Sequence, residues 1–354
     1  MNILLFSHEY PPCIGGAGSI AESIFTSIKS RNIKIQLLTS SRTNNDSSNF
    51  VFTENIHHKL WFFSYAYWIN KNIDKFDVII CNDPAAIYNA GKYFSKELLL
   101  KTVCLIHGEE KYLNSKSYLI KKINFSNHFK RALNDCKKVI FVSDYIKNRY
   151  KYLYDIIIDE NRVKVIHSGV NNSLFKKIVK AKNNDNNSFL TVSRIEKAKG
   201  FDVMLHSLCK VKESGLNFHW YIAGDGSYFE KFKENVSNST LNKNITFLGR
   251  VERSCLPEIY SLADYYISLS ELNESYGLSY LEAASCGVKP IGYNRCGTAE
   301  AFKYIHNGVL IESFKDINEI SETLCNLLAN TQYEAIICTR TETDFINELI
   351  ENVL

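Results

Sequence analysis

Short apolar runs alternate along the first half of the chain with segments of helical periodicity. The runs are NILLF at 2–6, IKIQLL at 33–38, DVII at 77–80, TVCLI at 102–106, VIFV at 139–142 and VKVI at 163–166; SIAESIFTSIKS at 19–30 is one of the helical segments. Runs this short without polar alternation fit strands buried on both faces, and such strands joined by helices make parallel sheets through βαβ units. A polar stretch, KAKNNDNNS at 180–188, then interrupts the pattern and reads as a linker. After it the alternation restarts with FLTVS at 189–193, a helix over about 199–213, FHWYIAG at 218–224, a helix near 227–236, NITFLG at 244–249 and DYYISL at 264–269. Helical periodicity at 316–329 and 333–353 predicts that helices close the chain with no further strand. A chain of 354 residues exceeds what one hydrophobic core usually covers. The expectation is therefore α/β, two doubly wound domains over 1–180 and 181–354, with a cleft between them.

Composition narrows the function classes. The 45% apolar and 23% charged fractions are those of a globular protein. MNILLFSHEY lacks the apolar core of a signal peptide, and LWFFSYAYWI at 60–69 is about half the length of a membrane-spanning helix. A cytoplasmic chain that does not cross a bilayer is expected. None of the ten cysteines falls in a CxxC pair, and Cys81, Cys104 and Cys209 sit in apolar runs, which favours reduced thiols. His57 and His58 have no cysteine or acid at ligand spacing, so no metal site is expected there. Charge is divided unevenly. Residues 1–180 carry 26 Lys and Arg against 15 Asp and Glu, a net +11, whereas 181–354 carry 16 against 23, a net −7. Within 111–151, eleven cations and two acids are interleaved with aromatic and aliphatic residues. That stretch suits anionic lipid headgroups or an acidic acceptor; a solvated face of Lys-rich helices is the alternative.

In open parallel sheets ligands bind beyond the carboxyl ends of the strands. Arg194 directly follows FLTVS, and Lys199 with Gly200 comes five residues later in SRIEKAKGFDVML, so both cations belong at that edge of the second sheet. A planar fork of donors beside a point charge suits a diphosphate, although solvated basic loops are common after strands. Gly224, Asp225 and Gly226 form a turn into the next helix, which allows close backbone approach to a ligand or serves only as a turn. In SELNESYGLSYLEAASCGVKPIG at 270–292, Glu274 belongs to a loop and Glu282 to a helix beginning near Gly277 or Leu278 and stopping around Cys286 and Gly287. The amides of Tyr276, Gly277, Leu278 and Ser279 at such a helix start can hold an anion, while the two carboxylates can accept hydrogen bonds from hydroxyls. Cations, amides and acids in one place fit a nucleotide sugar.

The order of these segments resembles that of the retaining glycosyltransferases of family 4, over nearly the whole chain. The loop in ILLFSHEYPPCIGGAG, VIHSGVNNSLF at 165–175, SRIEKAKG, YIAGDGSYFEKF, FLGRV, ESYGLSYLEAASCG and CGTAEAF at 296–302 follow in family order. Two places depart from the family pattern. His167 and Ser168 replace a common Pro-Asn pair, and Cys296 and Gly297 replace a double glycine; neither change removes a charged residue. The resemblance implies a GT-B fold, with two Rossmann-like domains facing the cleft. Its N-terminal domain would bind the acceptor and its C-terminal domain the nucleotide sugar, with a terminal helix, about 336–354, returning to the N-terminal domain. It also implies roles: Arg194 and Lys199 hold the donor diphosphate, Glu274 contacts the donor sugar, Glu282 binds the ribose, and Gly15 and Gly16 close over phosphates or acceptor. His107, in VCLIHGEE, matches a histidine near the transferred sugar; without that match it reads equally as a hydrogen-bonded histidine at a strand end.

The expected activity is retaining transfer of a hexosyl group from a nucleoside diphosphate sugar to a saccharide or lipid-linked acceptor, in bacterial surface polysaccharide assembly. No cofactor is expected, nor a metal, since no DxD-like motif occurs. The partners expected are the donor, the acceptor and an anionic membrane surface touched through 111–151, with no nucleic acid. Two other classes compete. An NAD-dependent oxidoreductase fits poorly, because GGAG at 15–18 follows its strand at a distance and does not spell GxGxxG. A non-catalytic sugar- or lipid-binding protein is disfavoured by the joint presence of Arg194, Lys199, Glu274 and Glu282.

Overall fold

The computed structural model describes residues 1–11, 16–40, 50–52, 61–178, 187–330 and 334–353. They form two compact units, one of Met1–Ser168 with Thr343–Leu354 and one of Gly169–Glu342. The division therefore precedes the polar stretch that pointed to 180/181. Val170 already forms a bridge with Thr341, and the ring of Phe175 lies 6.1 Å from that of Tyr260, so the chain enters the second unit's packing before it becomes polar.

In the first unit, β1 (Asn2–Phe6), β2 (Lys34–Thr39), β3 (Phe50–Phe52), β4 (Val78–Cys81), β5 (Thr102–Ile106), β6 (Lys138–Phe141) and β7 (Val163–Val165) pair in parallel in the order β3-β2-β1-β4-β5-β6-β7. Every residue of β5 is buried, as the continuous apolar run TVCLI requires of a strand covered on both faces. Strand order reverses between β1 and β4, so the loops leaving these strands diverge and open a crevice at their carboxyl ends. Asp83 follows β4 and caps the helix Pro84–Tyr93, its Oδ1 accepting from the Ala86 amide at 2.9 Å. The last helix, Glu342–Val353, returns to this unit. It buries Phe345, Ile346, Leu349 and Val353 in one cluster with Ile3, Leu5, Ile24, Phe25 and Val103.

In the second unit, β8 (Asn187–Val192), β9 (Phe218–Ala223), β10 (Ile245–Gly249), β11 (Tyr265–Ile267), β12 (Lys289–Tyr293) and β14 (Val309–Ile311) form a parallel sheet in the order β10-β9-β8-β11-β12-β14. The reversal here lies between β8 and β11. Phe189, Phe201, Met204, Trp220, Phe232, Ile267, Ile320 and Leu324 fill its core.

The ending of the chain departs from expectation. The helix read over 333–353 starts only at Glu342, and a strand precedes it: β15 (Ile337–Cys338) pairs antiparallel with β13 (Ile305–His306). Tertiary hydrogen bonds override local periodicity here, as Thr339 donates its amide to the Tyr304 carbonyl at 2.9 Å and Glu342 to that of Val170 at 2.7 Å. β12 and β14 also extend the second sheet beyond the DYYISL run where the sequence-based pattern of strands ended. Among the described residues no helix is long and apolar enough to cross a membrane. Cys81 and Cys104 are buried free thiols, whereas Cys209 is half-buried on the helix Phe201–Glu213. His57 and His58 lie outside the described residues.

Candidate active site

At the carboxyl edge of the second sheet, two loops are bound together through their backbones. The loop after β8 makes a turn, Lys197–Lys199, closed by Gly200 at φ 76°. A Cβ on Gly200 would stand 1.8 Å from the Leu269 carbonyl oxygen, so only glycine lets this loop lie against the end of β11. The Glu271 amide donates to the Ala198 carbonyl at 2.9 Å and completes the junction. These contacts deliver Lys199 to Glu274: Nζ and Oε1 are 2.7 Å apart, with the side chains only 17% and 27% exposed. Arg194 leaves the same edge, but its guanidinium is 75% exposed and pairs with Glu196 at 2.8 Å rather than with Glu274.

Glu274 sits in the loop between β11 and the helix Leu278–Ser285, where its carbonyl accepts from the Gly297 amide at 3.0 Å. Gly277, at φ 102°, is the residue before that helix and supplies no capping side chain to its first-turn amides. Tyr276 is buried beside it, and burial drives its phenol well above the ordinary range.

Glu282, one turn further on, has different surroundings. Its carboxylate is buried, with Oε1 3.1 Å from Arg253 Nη2 and Oε2 3.4 Å from the Tyr260 hydroxyl. Desolvation pushes its pKa up to about 7 against the opposing pull of Arg253. Arg253 in turn lies over the Phe175 ring, 5.4 Å from its centroid. Arg253, Tyr260 and Phe175 went unnoticed in the sequence reading, because two separate segments, one at 175 and one at 253–260, contribute them and no spacing links them to Glu282. Gly224 proves to be needed by the sheet edge itself. A Cβ there would lie 1.9 Å from the Ser193 carbonyl oxygen, and its amide donates to Gly249 at 2.7 Å.

In the first unit, polar residues gather at the carboxyl ends of β1, β4 and β5. His107 Nε2 is 3.0 Å from Asn82 Oδ1, and Asn82 Nδ2 reaches Ser7 Oγ at 3.0 Å and the Ala17 carbonyl at 2.8 Å. Asp83 Oδ2 accepts from Ser7 Oγ at 3.1 Å and from the Glu9 amide at 2.9 Å. Burial lowers the His107 pKa to about 4, opposed by the Asp83 charge, so its ring is neutral at pH 7. Burial raises those of Glu9 and Glu110, with Asp83 adding to both shifts. Of this cluster only His107 was singled out from sequence. Gly16 opens the helix Gly16–Ser30 and a Cβ there would meet nothing within 4 Å, so packing does not demand that glycine; Gly15 lies outside the described residues.

A family model for glycosyl transferases group 1 matches residues 173–342, and one for Glycosyltransferase Family 4 matches residues 14–174. The chain is 25% identical over 345 residues to an uncharacterized glycosyltransferase of Methanocaldococcus jannaschii, covering 94% of this chain and 90% of that one. In fold it is similar to Anabaena HepE in complex with UDP and glucose, with a TM-score of 0.73 at 16% identity over 100% of this chain and 99% of that chain. It is likewise similar to WaaG, a glycosyltransferase involved in lipopolysaccharide biosynthesis, with a TM-score of 0.67 at 17% identity over 99% and 94% of the two chains.

Proposed function

Because the chain belongs to the glycosyltransferases of GT-B fold, its two halves matching the family 4 and group 1 models, we propose that it transfers a hexosyl group from a nucleoside diphosphate sugar to a saccharide or lipid-linked acceptor, with retention of anomeric configuration. The observation that carries this reading is the Lys199–Glu274 pair beside the start of the helix Leu278–Ser285. A cation and helix-start amides favour an anion, and an adjacent carboxylate favours hydroxyls, so the place suits a diphosphate joined to a sugar.

In this mechanism the nucleoside diphosphate leaves without being protonated first, and what needs stabilising is the charge growing on its β-phosphate. Lys199, Arg194 and the helix amides do so electrostatically, without a divalent metal. Glu274 exchanges its lysine for donor sugar hydroxyls, and Glu282 takes those of the ribose. The acceptor attacks on the face the phosphate leaves, with the phosphate helping to remove its proton. The first unit binds the acceptor.

Bacterial surface polysaccharide assembly is the proposed role, which the likeness to WaaG supports. A lipid-linked acceptor would sit at an anionic membrane, and the first unit offers a matching surface. Tyr118 and Leu119 are exposed on the helix Tyr118–Lys122, among the exposed Lys111, Lys116, Lys121 and Lys122. Thermal stabilisation and hydrolysis measured across a panel of UDP-, ADP-, GDP- and dTDP-sugars test the core of the proposal. One nucleotide sugar should stabilise the protein and be turned over. A panel in which none is bound or cleaved, or in which NAD alone stabilises the protein, overturns it.

A further inference from the structure

The hydrogen bonds around His107 determine which of its ring nitrogens carries the proton. A backbone carbonyl can only accept, so the Asn82 atom 2.8 Å from the Ala17 oxygen is the amide nitrogen, and the side chain cannot be turned over. The same nitrogen donates to Ser7 Oγ at 3.0 Å, and Ser7 passes its own proton to the Glu9 carbonyl at 2.7 Å or to Asp83 Oδ2 at 3.1 Å. That leaves Asn82 Oδ1 as the atom facing His107 Nε2 at 3.0 Å. Oδ1 can only accept, so Nε2 bears the hydrogen. In a neutral ring Nδ1 then holds a lone pair and no proton.

We propose that Asn82 is a positioning residue that locks His107 in its Nε2–H tautomer, so that Nδ1 accepts a hydrogen bond from a sugar hydroxyl during transfer. The second half of this statement rests on the glycosyltransferase reading above; the first half stands on the first unit alone. The charge that acts on the ring is that of Asp83 after β4, which in turn acts on Glu9 after β1 and Glu110 after β5. Asp83 favours an imidazolium, and burial prevails over it. A protonated ring would offer Nδ1–H and repel a hydroxyl hydrogen, so keeping the ring neutral and keeping it in one tautomer serve the same contact.

The test is nitrogen-15 NMR of the histidine ring in the full chain at pH 7, assigned through a His107→Asn control. One protonated and one unprotonated nitrogen are expected, the protonated one being Nε2. A protonated Nδ1, rapid averaging of the two, or a doubly protonated ring overturns the inference. Asn82→Asp replaces the amide by a carboxylate that favours the imidazolium, and should raise the His107 pKa and protonate Nδ1 near neutral pH. Turnover of the nucleotide sugar selected by the panel should then fall about tenfold at pH 6 and recover above pH 8, with the wild-type acid limb lying far lower. A variant that titrates as expected by NMR but whose pH–rate profile matches the wild type removes the hydroxyl contact from the proposal. Failure of every nucleotide sugar in the panel would count against the glycosyltransferase reading and the hydroxyl contact together, while the tautomer is decided by NMR alone.

Discussion

Lys199 Nζ and Glu274 Oε1 lie 2.7 Å apart across 75 positions of sequence, brought together by backbone contact between the loops that leave β8 and β11. Both charges are largely shielded from water, so each stabilises the other until a ligand replaces one of them. In the proposed mechanism the donor does this, its phosphates meeting the ammonium while its sugar hydroxyls meet the carboxylate.

Removing Lys199 therefore acts twice, by taking a cation from the developing phosphate charge and by leaving Glu274 unpaired. Lys199→Ala should lower kcat by roughly 100-fold or more. Arg194→Ala should also lower kcat while leaving Tm nearly unchanged, because its exposed pair with Glu196 contributes little to folding. Steady-state kinetics and thermal melts on the two variants check this, and normal turnover in both would remove them from the donor site.

Glu282 predicts a pH dependence of stability. Its carboxyl pKa rises from 4.5 to about 7 on folding, so the folded state binds the proton more tightly and stability falls as pH rises from about 4.5 through 7. The shift corresponds to about 3 kcal/mol lost across that window. Glu282→Gln should flatten this part of the profile and weaken nucleoside diphosphate binding. Denaturant titrations at pH 5 and pH 8, together with calorimetry, measure both effects.

Gly200→Ala should destabilise the second unit by about 2 kcal/mol or more, since φ 76° disfavours a side chain and the new Cβ would stand 1.8 Å from the Leu269 carbonyl. Relief of that clash would separate the two loops and part Lys199 from Glu274. Turnover should consequently fall by more than the loss of stability accounts for, as a comparison of activity below Tm with the melting curve would reveal.

The last helix is held to the first unit by its apolar face. Ile346→Ala removes a fully buried side chain from the cluster shared with Ile3, Leu5 and Val103, and should cost about 2–5 kcal/mol. An exposed position such as Glu351 should tolerate alanine within about 0.5 kcal/mol. Chemical denaturation of the two variants separates core packing from a general intolerance of the helix to change.

Replacement of Tyr118 and Leu119 by serine should weaken sedimentation with vesicles containing anionic lipid while leaving nucleotide-sugar hydrolysis in solution unchanged. Equal binding of wild type and variant to anionic and neutral vesicles would exclude this surface.

Much of the architecture was legible before any coordinates. A short, largely apolar run such as TVCLI fits a strand covered on both faces, and the glycines and acids around 270–292 marked where a helix begins. The pattern misled at 337–338, where Ile337 and Cys338 continue a helical periodicity yet pair with Ile305 and His306. Local preference there is worth tenths of a kcal/mol per residue, and paired backbone amides outweigh it.

Residue types and their order along the chain determined that there would be two parallel sheets, that Lys199 and Glu274 would stand at the edge of the second, and that Glu282 would lie inside a helix. Tertiary structure alone decided that Arg253 and Tyr260 meet Glu282, that Arg194 turns to Glu196, and that Asn82 faces His107. Periodicity records which face of an element is dry, because burying apolar area is a property of each residue by itself. A hydrogen bond or ion pair depends on the distance between atoms carried by separate loops, and that distance exists only once the sheets have brought those loops to a common edge.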